Sequence, residues 1–371
     1  KVQTHATMLP ITCYAYHVGR EEKKMPTIRD VAKQAGVATM TVSRVINNSG
    51  YVSDSTRAKV ESAIAELGYI PNMLGPSLRF NQTNTLALIL TDITNPFWTT
   101  VARGVEDAAQ EKGYSVILCN TDESIQKQDQ YLTMLLKRRI DGILFVPADN
   151  EAEPVRLIQK HNIGVVVLDR VVSNTDVDIV RGDSFGGAYQ LTTHLIELGH
   201  QHIAVLSGPK NIFTSVERVA GFRRAMEEAG LEHNLENVYW GSFSQTLGCE
   251  MAEQALKNTP PPTAFLAVNN FIANGALQTF SQAGLRVPED VSVVTFDDIP
   301  AIINPVPFLT VATQPAYEMG YQATQLLVAR LSNEGPSERQ EIVLPTTVVV
   351  RKSSAPPIST VNTPSQVGEV P

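Results

Sequence analysis

Short apolar runs separated by amphipathic stretches recur along most of this chain, and that rhythm limits its fold more than any other feature. Leu86–Leu90, Ser115–Cys119, Gly142–Val146, Gly164–Leu168, Ile203–Leu206, Ala264–Val268 and Val291–Phe296 lack the polar–apolar alternation of a half-exposed strand. Strands of that kind are covered on both faces, and helical stretches such as Val101–Glu111 supply the cover. The pattern predicts an α/β fold of doubly wound parallel sheets. About ten strands over roughly 270 residues would strain one sheet, so two are expected.

Polar residues stand just after several of these runs. Asp92 and the turn Asn95-Pro96-Phe97-Trp98 follow the first, Asp169 and Arg170 follow Leu168, and Asn269-Asn270 and Asp297-Asp298 follow two later ones. Ligands of open α/β sheets bind outside the carboxyl ends of the strands. Carboxylates and amides exchange hydrogen bonds with vicinal hydroxyls while rings cover an apolar face, which is the chemistry of a sugar site. Each residue taken singly could equally satisfy a backbone group or cap a helix. No GxGxxG, GxxxxGK[ST], HExxH or GxSxG spacing is present, and the glycine-rich Gly182-Asp183-Ser184-Phe185-Gly186-Gly187 is wrongly spaced to cradle a phosphate. No enzymatic activity and no cofactor are therefore expected. His194, His200 and His202 have no completing carboxylate or cysteine pattern, so surface or capping roles are expected of them and no metal.

The first part of the chain has a different period. Thr27 with Asp30 three positions on is a helix-starting pair, and Val31, Ala32 and Ala35 share one face before Gly36. Thr39–Asn47 is a second predicted helix with Val42, Val45 and Ile46 inward and Thr39, Met40, Ser43 and Arg44 outward. Ser53 opens a third, with Val60, Ala63, Ile64 and Leu67 inward and Gly68 to stop it. The arrangement is that of a helix-turn-helix, whose second helix enters the major groove. A three-helix bundle with no DNA role would show the same apolar positions. The outward hydroxyls and arginine tip the balance, because they suit phosphates and a guanine edge and add little to packing. The chain carries a net charge of −8, yet here Arg29, Lys33, Arg44, Arg57, Lys59 and Arg79 outnumber Asp30, Asp54, Glu61 and Glu66, with Lys23 and Lys24 just ahead. This module is the only plausible surface for phosphates.

The stretches TIRDVAKQAGVATMTVSRVINN and VSDSTRAKVESAIAELGYIPN resemble the DNA-binding domain of LacI/GalR-type bacterial transcription regulators, and the likeness continues to about Lys352. Carried over by position, it implies that Thr39, Met40 and Arg44 read bases, that Thr27, Ser43, Asn47 and Ser53 meet phosphates, and that Leu78 wedges into the minor groove. Met40 would meet a thymine methyl. In the core it implies a two-lobed, periplasmic-binding-protein-like fold of two Rossmann-like subdomains joined by three connections. Phe97 and Trp98 would stack on an effector, Asp169, Arg218, Asn269 and Asp297 would hydrogen-bond to it, and Phe243 would form a wall. Three positions depart from the family: Ala38 stands where a hydroxyl usually starts the second helix, Gly75-Pro76 weakens the helix expected of the hinge, and Asn270 replaces a common aspartate, which makes the pocket less acidic. A plain flexible linker is the alternative for the hinge.

These readings divide the chain into a leader (1–24), a helix-turn-helix domain (25–70), a hinge (71–83), an effector-binding core (84–352) and a flexible tail (353–371). The core divides into an N-lobe of about 84–181 with 314–343 and a C-lobe of about 182–311 with 344–352. The stretch Met8–Val18 lacks a basic start and a clean cleavage site, so it is not expected to be a signal peptide. That weighs against an exported sugar-binding protein, which would share the two-lobed cleft. Cys13, Cys119 and Cys249 are too scattered for a disulfide framework and fit a reducing cytoplasm, and no run is long and apolar enough to span a membrane. The expectation is a homodimeric cytoplasmic repressor that reads a near-palindromic operator, controlled by a small molecule, a sugar.

Overall fold

The computed structural model describes residues 25–70, 83–231, 237–298 and 306–357. Leu78, Gly75-Pro76, the expected leader and most of the expected tail lie outside them. The chain divides into two compact units, one up to Asn81 and one from Gln82 onward.

In the first unit three helices enclose a small core: α1 (Ile28–Ala35), α2 (Thr39–Ile46) and α3 (Asp54–Leu67). Val31, Ala32, Val42, Val45, Val60 and Ala63 are buried together, with Ile46, Ile64 and Leu67 half-buried around them. The local chemistry sets the ends. The Asp30 carboxylate accepts from the Thr27 N–H (2.8 Å) and hydroxyl (2.7 Å), and Gly36 and Gly68 close α1 and α3 in the left-handed region, φ 66° and 61°. The Ser53 hydroxyl accepts from the Thr56 N–H at the start of α3. Ala38 starts α2 with no side-chain cap.

The second unit holds two six-stranded sheets. The first takes β1 (Thr85–Leu90), β2 (Ser115–Asn120), β3 (Gly142–Phe145), β4 (Gly164–Leu168), β5 (Asp178–Gly182) and β11 (Glu341–Leu344). The second takes β6 (Ile203–Ser207), β7 (Val238–Trp240), β8 (Ala264–Ala267), β9 (Ser292–Phe296), β10 (Thr310–Thr313) and β12 (Thr347–Val349). Their orders, β11-β5-β4-β3-β1-β2 and β12-β10-β9-β8-β6-β7, are the same path walked twice. All pairs are parallel except β10 with β12. Helices cover the first sheet with α4 (Pro96–Glu111), α5 (Ile125–Arg138), α6 (Glu153–Lys160) and α11 (Ala316–Leu331), and the second with α7 (Ser184–Glu197), α8 (Phe213–Glu228), α9 (Gln245–Ala255) and α10 (Asn270–Gln282).

The chain passes between lobes three times: after β5, after β10 and after β11. Gly182 and Leu344 pair with each other in the first sheet, so both boundaries expected one residue earlier move into that lobe. The expected tail boundary is corrected further. Ser353 is fully buried, its hydroxyl donating to Val293 O (2.6 Å) and accepting from Thr310 N–H (2.7 Å), and Ala355 N–H donates to the Ser292 hydroxyl (3.0 Å). His200 closes this seam. Its Nε2 donates to Ala355 O (2.9 Å) and its Nδ1 accepts from the Thr263 hydroxyl (2.9 Å), while burial lowers its pKa and keeps it neutral. His194 meets the Ser354 hydroxyl (2.9 Å), so two of the three histidines hold the segment Ser354-Ala355. Among the described residues no group of His, Cys, Asp and Glu could hold a metal, and no helix is long and apolar enough to cross a membrane.

Helices α4 and α11 cross at glycines. A Cβ on Gly104 would lie 2.0 Å from Tyr317 O, and one on Gly320 2.1 Å from Val101 O, so the backbones touch where a side chain would stand. Gly320→Ala is expected to cost about 1–3 kcal/mol, since neither backbone can yield without moving a helix. A urea midpoint equal to that of the parent would refute this crossing.

Candidate functional site

The first unit offers one polar helix face. Thr39 and Arg44 are exposed, Met40 keeps 65 % of its surface open, and the Arg44 side chain lies beside Gly50. Of the residues expected at phosphates, Thr27 spends both its donors on Asp30, the Asn47 amide donates to Ser43 O (2.9 Å) and Oγ (3.2 Å), and Ser53 caps α3. They fix the helix ends around the exposed face.

In the second unit, a cleft between the lobes gathers all seven residues expected at an effector: Phe97, Trp98, Asp169, Arg218, Phe243, Asn269 and Asp297. Each stands after a strand's carboxyl end or in the helix that follows. Asp169 follows β4 and Asp297 follows β9, the equivalent strands of the two sheets. Both are buried, both have left-handed backbone (φ 64° and 63°), and each N–H donates to the neighbouring strand, to Val180 O (2.9 Å) and Ala312 O (3.0 Å). The backbone is strained in the same way twice, and the result is a carboxylate from each lobe in one cleft.

Between them lies Arg218, 4 % exposed, on α8. It donates through Nη1 to Val268 O (2.5 Å) and through Nε to the Ser184 hydroxyl (3.3 Å), and its face rests on the Phe296 ring, 4.0 Å from the centroid. Burial pushes the Asp297 carboxyl up to about 6 against the pull of Arg218, raises Asp169, and lowers Arg218. Gln314 adds an amide donor to Asp297 (2.7 Å).

The rings form two walls. Phe97 and Trp98 meet edge to face, with centroids 4.8 Å apart, at the start of α4. Phe243, after β7, lies over Gly208, where a Cβ would come within 2.3 Å of it. Asn269 caps α10 through Oδ1, accepting from Ile272 N–H (2.8 Å), so the capping role allowed by sequence holds for its oxygen while its amide nitrogen is left for the cleft.

The strand-end pattern marked Arg170 without giving it a role, and sequence reasoning passed over other lining residues, notably Thr91, Glu123, Thr214 and Gln314. Arg170 is 2 % exposed and grips Glu123 with two nitrogens (2.9 and 2.6 Å) and Pro147 O with one of them (2.6 Å). Its Nε, the Thr91 hydroxyl and Gln314 Oε1 are buried with no partner. Such atoms are costly in a dry interior and mark where a bound molecule would complete the network. A signal existed for Arg170 and Thr91, which follow apolar runs directly. Glu123 lies beyond the turn after the Ser115–Cys119 run, and Gln314 follows a strand that the pattern does not mark.

Residues 27–72 match the model of bacterial regulatory proteins of the lacI family, and residues 83–348 match that of periplasmic binding proteins and the sugar-binding domain of the LacI family. The chain is a member of the lacI family. This regulator is 37 % identical over 330 residues to the HTH-type transcriptional repressor PurR of Photobacterium profundum, covering 89 % of this chain and 98 % of that protein. Among solved structures it is similar to the transcriptional regulator CelR in complex with cellobiose (33 % identity, TM-score 0.68, 89 % and 100 % covered). It is also similar to the lac repressor dimer bound to operator and the anti-inducer ONPF (27 %, TM-score 0.78, 90 % and 100 % covered). The regulator is thus a DNA-binding transcription factor, and its relatives are repressors rather than enzymes.

Two consequences are measurable. Asp297 ionises near pH 6 in the fold against an ordinary 3.8, so its stabilising share is complete below 3.8 and lost as pH rises through 6. At neutral pH the difference amounts to roughly 3 kcal/mol. Asp297→Asn is expected to raise unfolding stability at pH 7.5 by up to that amount, with the gain shrinking towards pH 4; a gain that ignores pH would contradict the burial argument. Ala38→Ser gives α2 the cap it lacks and is expected to add about 1 kcal/mol, read from the melting of the isolated first unit or of the whole chain. No rise would mean the α2 start is already satisfied.

Proposed function

We propose that this regulator is a cytoplasmic homodimeric repressor of a near-palindromic operator, and that its effector is a small uncharged polyhydroxylated molecule, a sugar. The observation that carries the ligand class is the pair of buried carboxylates, Asp169 and Asp297, either side of Arg218. The two carboxylates offer acceptors beside the donors that Arg218 keeps after Val268 and Ser184 take two of its five N–H groups. A ligand rich in hydroxyl donors fits that balance, while Phe97, Trp98 and Phe243 cover its apolar faces. An anionic ligand would meet like charge. The cellobiose in the CelR complex supports this class. A purine base is the second reading, favoured by the flat aromatic walls and by the PurR relatives.

Recognition of DNA falls to Thr39, Met40 and Arg44, with Thr27, Ser43, Asn47 and Ser53 near phosphates and Leu78 as wedge. One short helix reads few bases, and a two-fold dimer doubles the readout. The edge strand β2 supports a dimer, since it leaves Leu118 39 % exposed beside half-buried Val116 and Ile117, and the lac repressor on operator is a dimer.

The test is selection of retained sequences from random duplexes, followed by monosaccharides and then purine bases added to the enriched operator. A sugar that alters retention supports the proposal; a purine that does so, with sugars inert, replaces it by the second reading. Arg44→Ala is expected to lose ~1–3 kcal/mol on the operator with effector binding intact. Equal loss on random DNA would reduce Arg44 to a phosphate contact. Arg218→Ala is expected to keep operator binding and lose the response to effector, and a preserved response would remove Arg218 from the site.

A further inference from the structure

Asn270 is the first residue of α10, and its expected role was to make the cleft less acidic. The structure places it elsewhere. It is 3 % exposed, and its Nδ2 donates across the interlobe gap to Asn95 Oδ1 at 3.1 Å. Asn95, 6 % exposed, lies in the other lobe at the start of α4, where the same Oδ1 accepts from Phe97 N–H at 3.1 Å. The cap fixes which Asn95 atom is oxygen, and that oxygen faces Asn270. Position 270 must therefore present a donor, and a carboxylate there would set two acceptors against each other. The bond also has a drawback built in: Asn270 Oδ1 is buried with no partner. Opening the lobes would give that oxygen water, so the tie and the orphaned acceptor nearly offset each other.

We infer that Asn270 is a positioning residue for effector capture: through Asn95 it ties the C-lobe to the helix start that carries Phe97 and Trp98, and so sets how readily the cleft closes. A contact whose gain and loss are both of hydrogen-bond size holds the lobes near balance, where the added contacts of an effector decide the outcome. The inference rests on the cleft being the effector site, but not on which effector fills it.

Trp98 reports on closure, since it lines the cleft and is 6 % exposed. The other tryptophan, Trp240, packs on the core of the second sheet and is replaced by Phe to leave one emitter. In the full-length Trp240→Phe protein, free of DNA and effector, acrylamide quenching of Trp98 is expected to be weak. Asn270→Asp is expected to raise it at least threefold at pH 7.5, and acidification, which protonates the introduced carboxyl and returns a donor, is expected to reverse the rise. Asn270→Ala, which removes the tie and the orphan together, is expected to give a smaller rise. Unfolding is distinguished by the Cys119 thiol, 2 % exposed in the N-lobe core, which stays unreactive if only the lobes part. Quenching equal to the parent in both variants overturns the inference. So does a rise in Asn270→Asp that acid does not reverse. Because this readout needs no effector, a failed sugar or purine titration leaves it standing.

Discussion

The row Asp169, Arg218, Asp297 is the constraint to which much of the second unit answers. All three groups are within a tenth of full burial, and a charge in such a place is tolerable only with a partner and hydrogen bonds. The partners come from both lobes and from a crossover. Asp169 is brought by β4, Arg218 by α8, Asp297 by β9, and Gln314 by the segment that follows β10. Three acids and bases from separate stretches of chain meet only if both sheets are complete and correctly joined. Burial raises both carboxyls, so their ionisation weakens the protein at neutral pH.

The repeated strand path explains why the cleft has this composition. Equivalent strands end in equivalent strained aspartates, so each lobe supplies a carboxylate by the same local device. The lobes differ in what surrounds it. The first adds the Arg170–Glu123 pair and the Phe97–Trp98 wall, and the second adds Arg218 with its Phe296 support.

Both the strands and the helix-turn-helix were legible in the sequence, because continuous apolar runs and a three- to four-residue period are direct consequences of burial. The strand-end rule located Asp169, Asn269 and Asp297. It missed Gln314, whose strand β10 is only Thr310–Thr313, and Glu123, which stands beyond the turn that follows β2 rather than directly at its end. The tail was misread at Ser353 because Ser, Thr and Pro say nothing of a buried partner, and His200 reaches Ala355 across 155 positions. The bond of Asn270 was hidden for a related reason, since it depends on which atom of Asn95, 175 positions away, faces it.

Effector control of the kind proposed follows from differential stabilisation of the two lobe arrangements. A ligand shifts the balance of open and closed lobes only by the difference in its affinity for the two. In the open cleft water serves Asp169 and Asp297; in the closed one their unused acceptor capacity and the orphaned Arg170 Nε, Thr91 hydroxyl and Gln314 oxygen go unserved. A molecule that completes these groups only when the lobes are together acts on closure. Because coupling is reciprocal, a lobe arrangement that operator DNA prefers must change effector affinity by the same factor that the effector changes operator affinity.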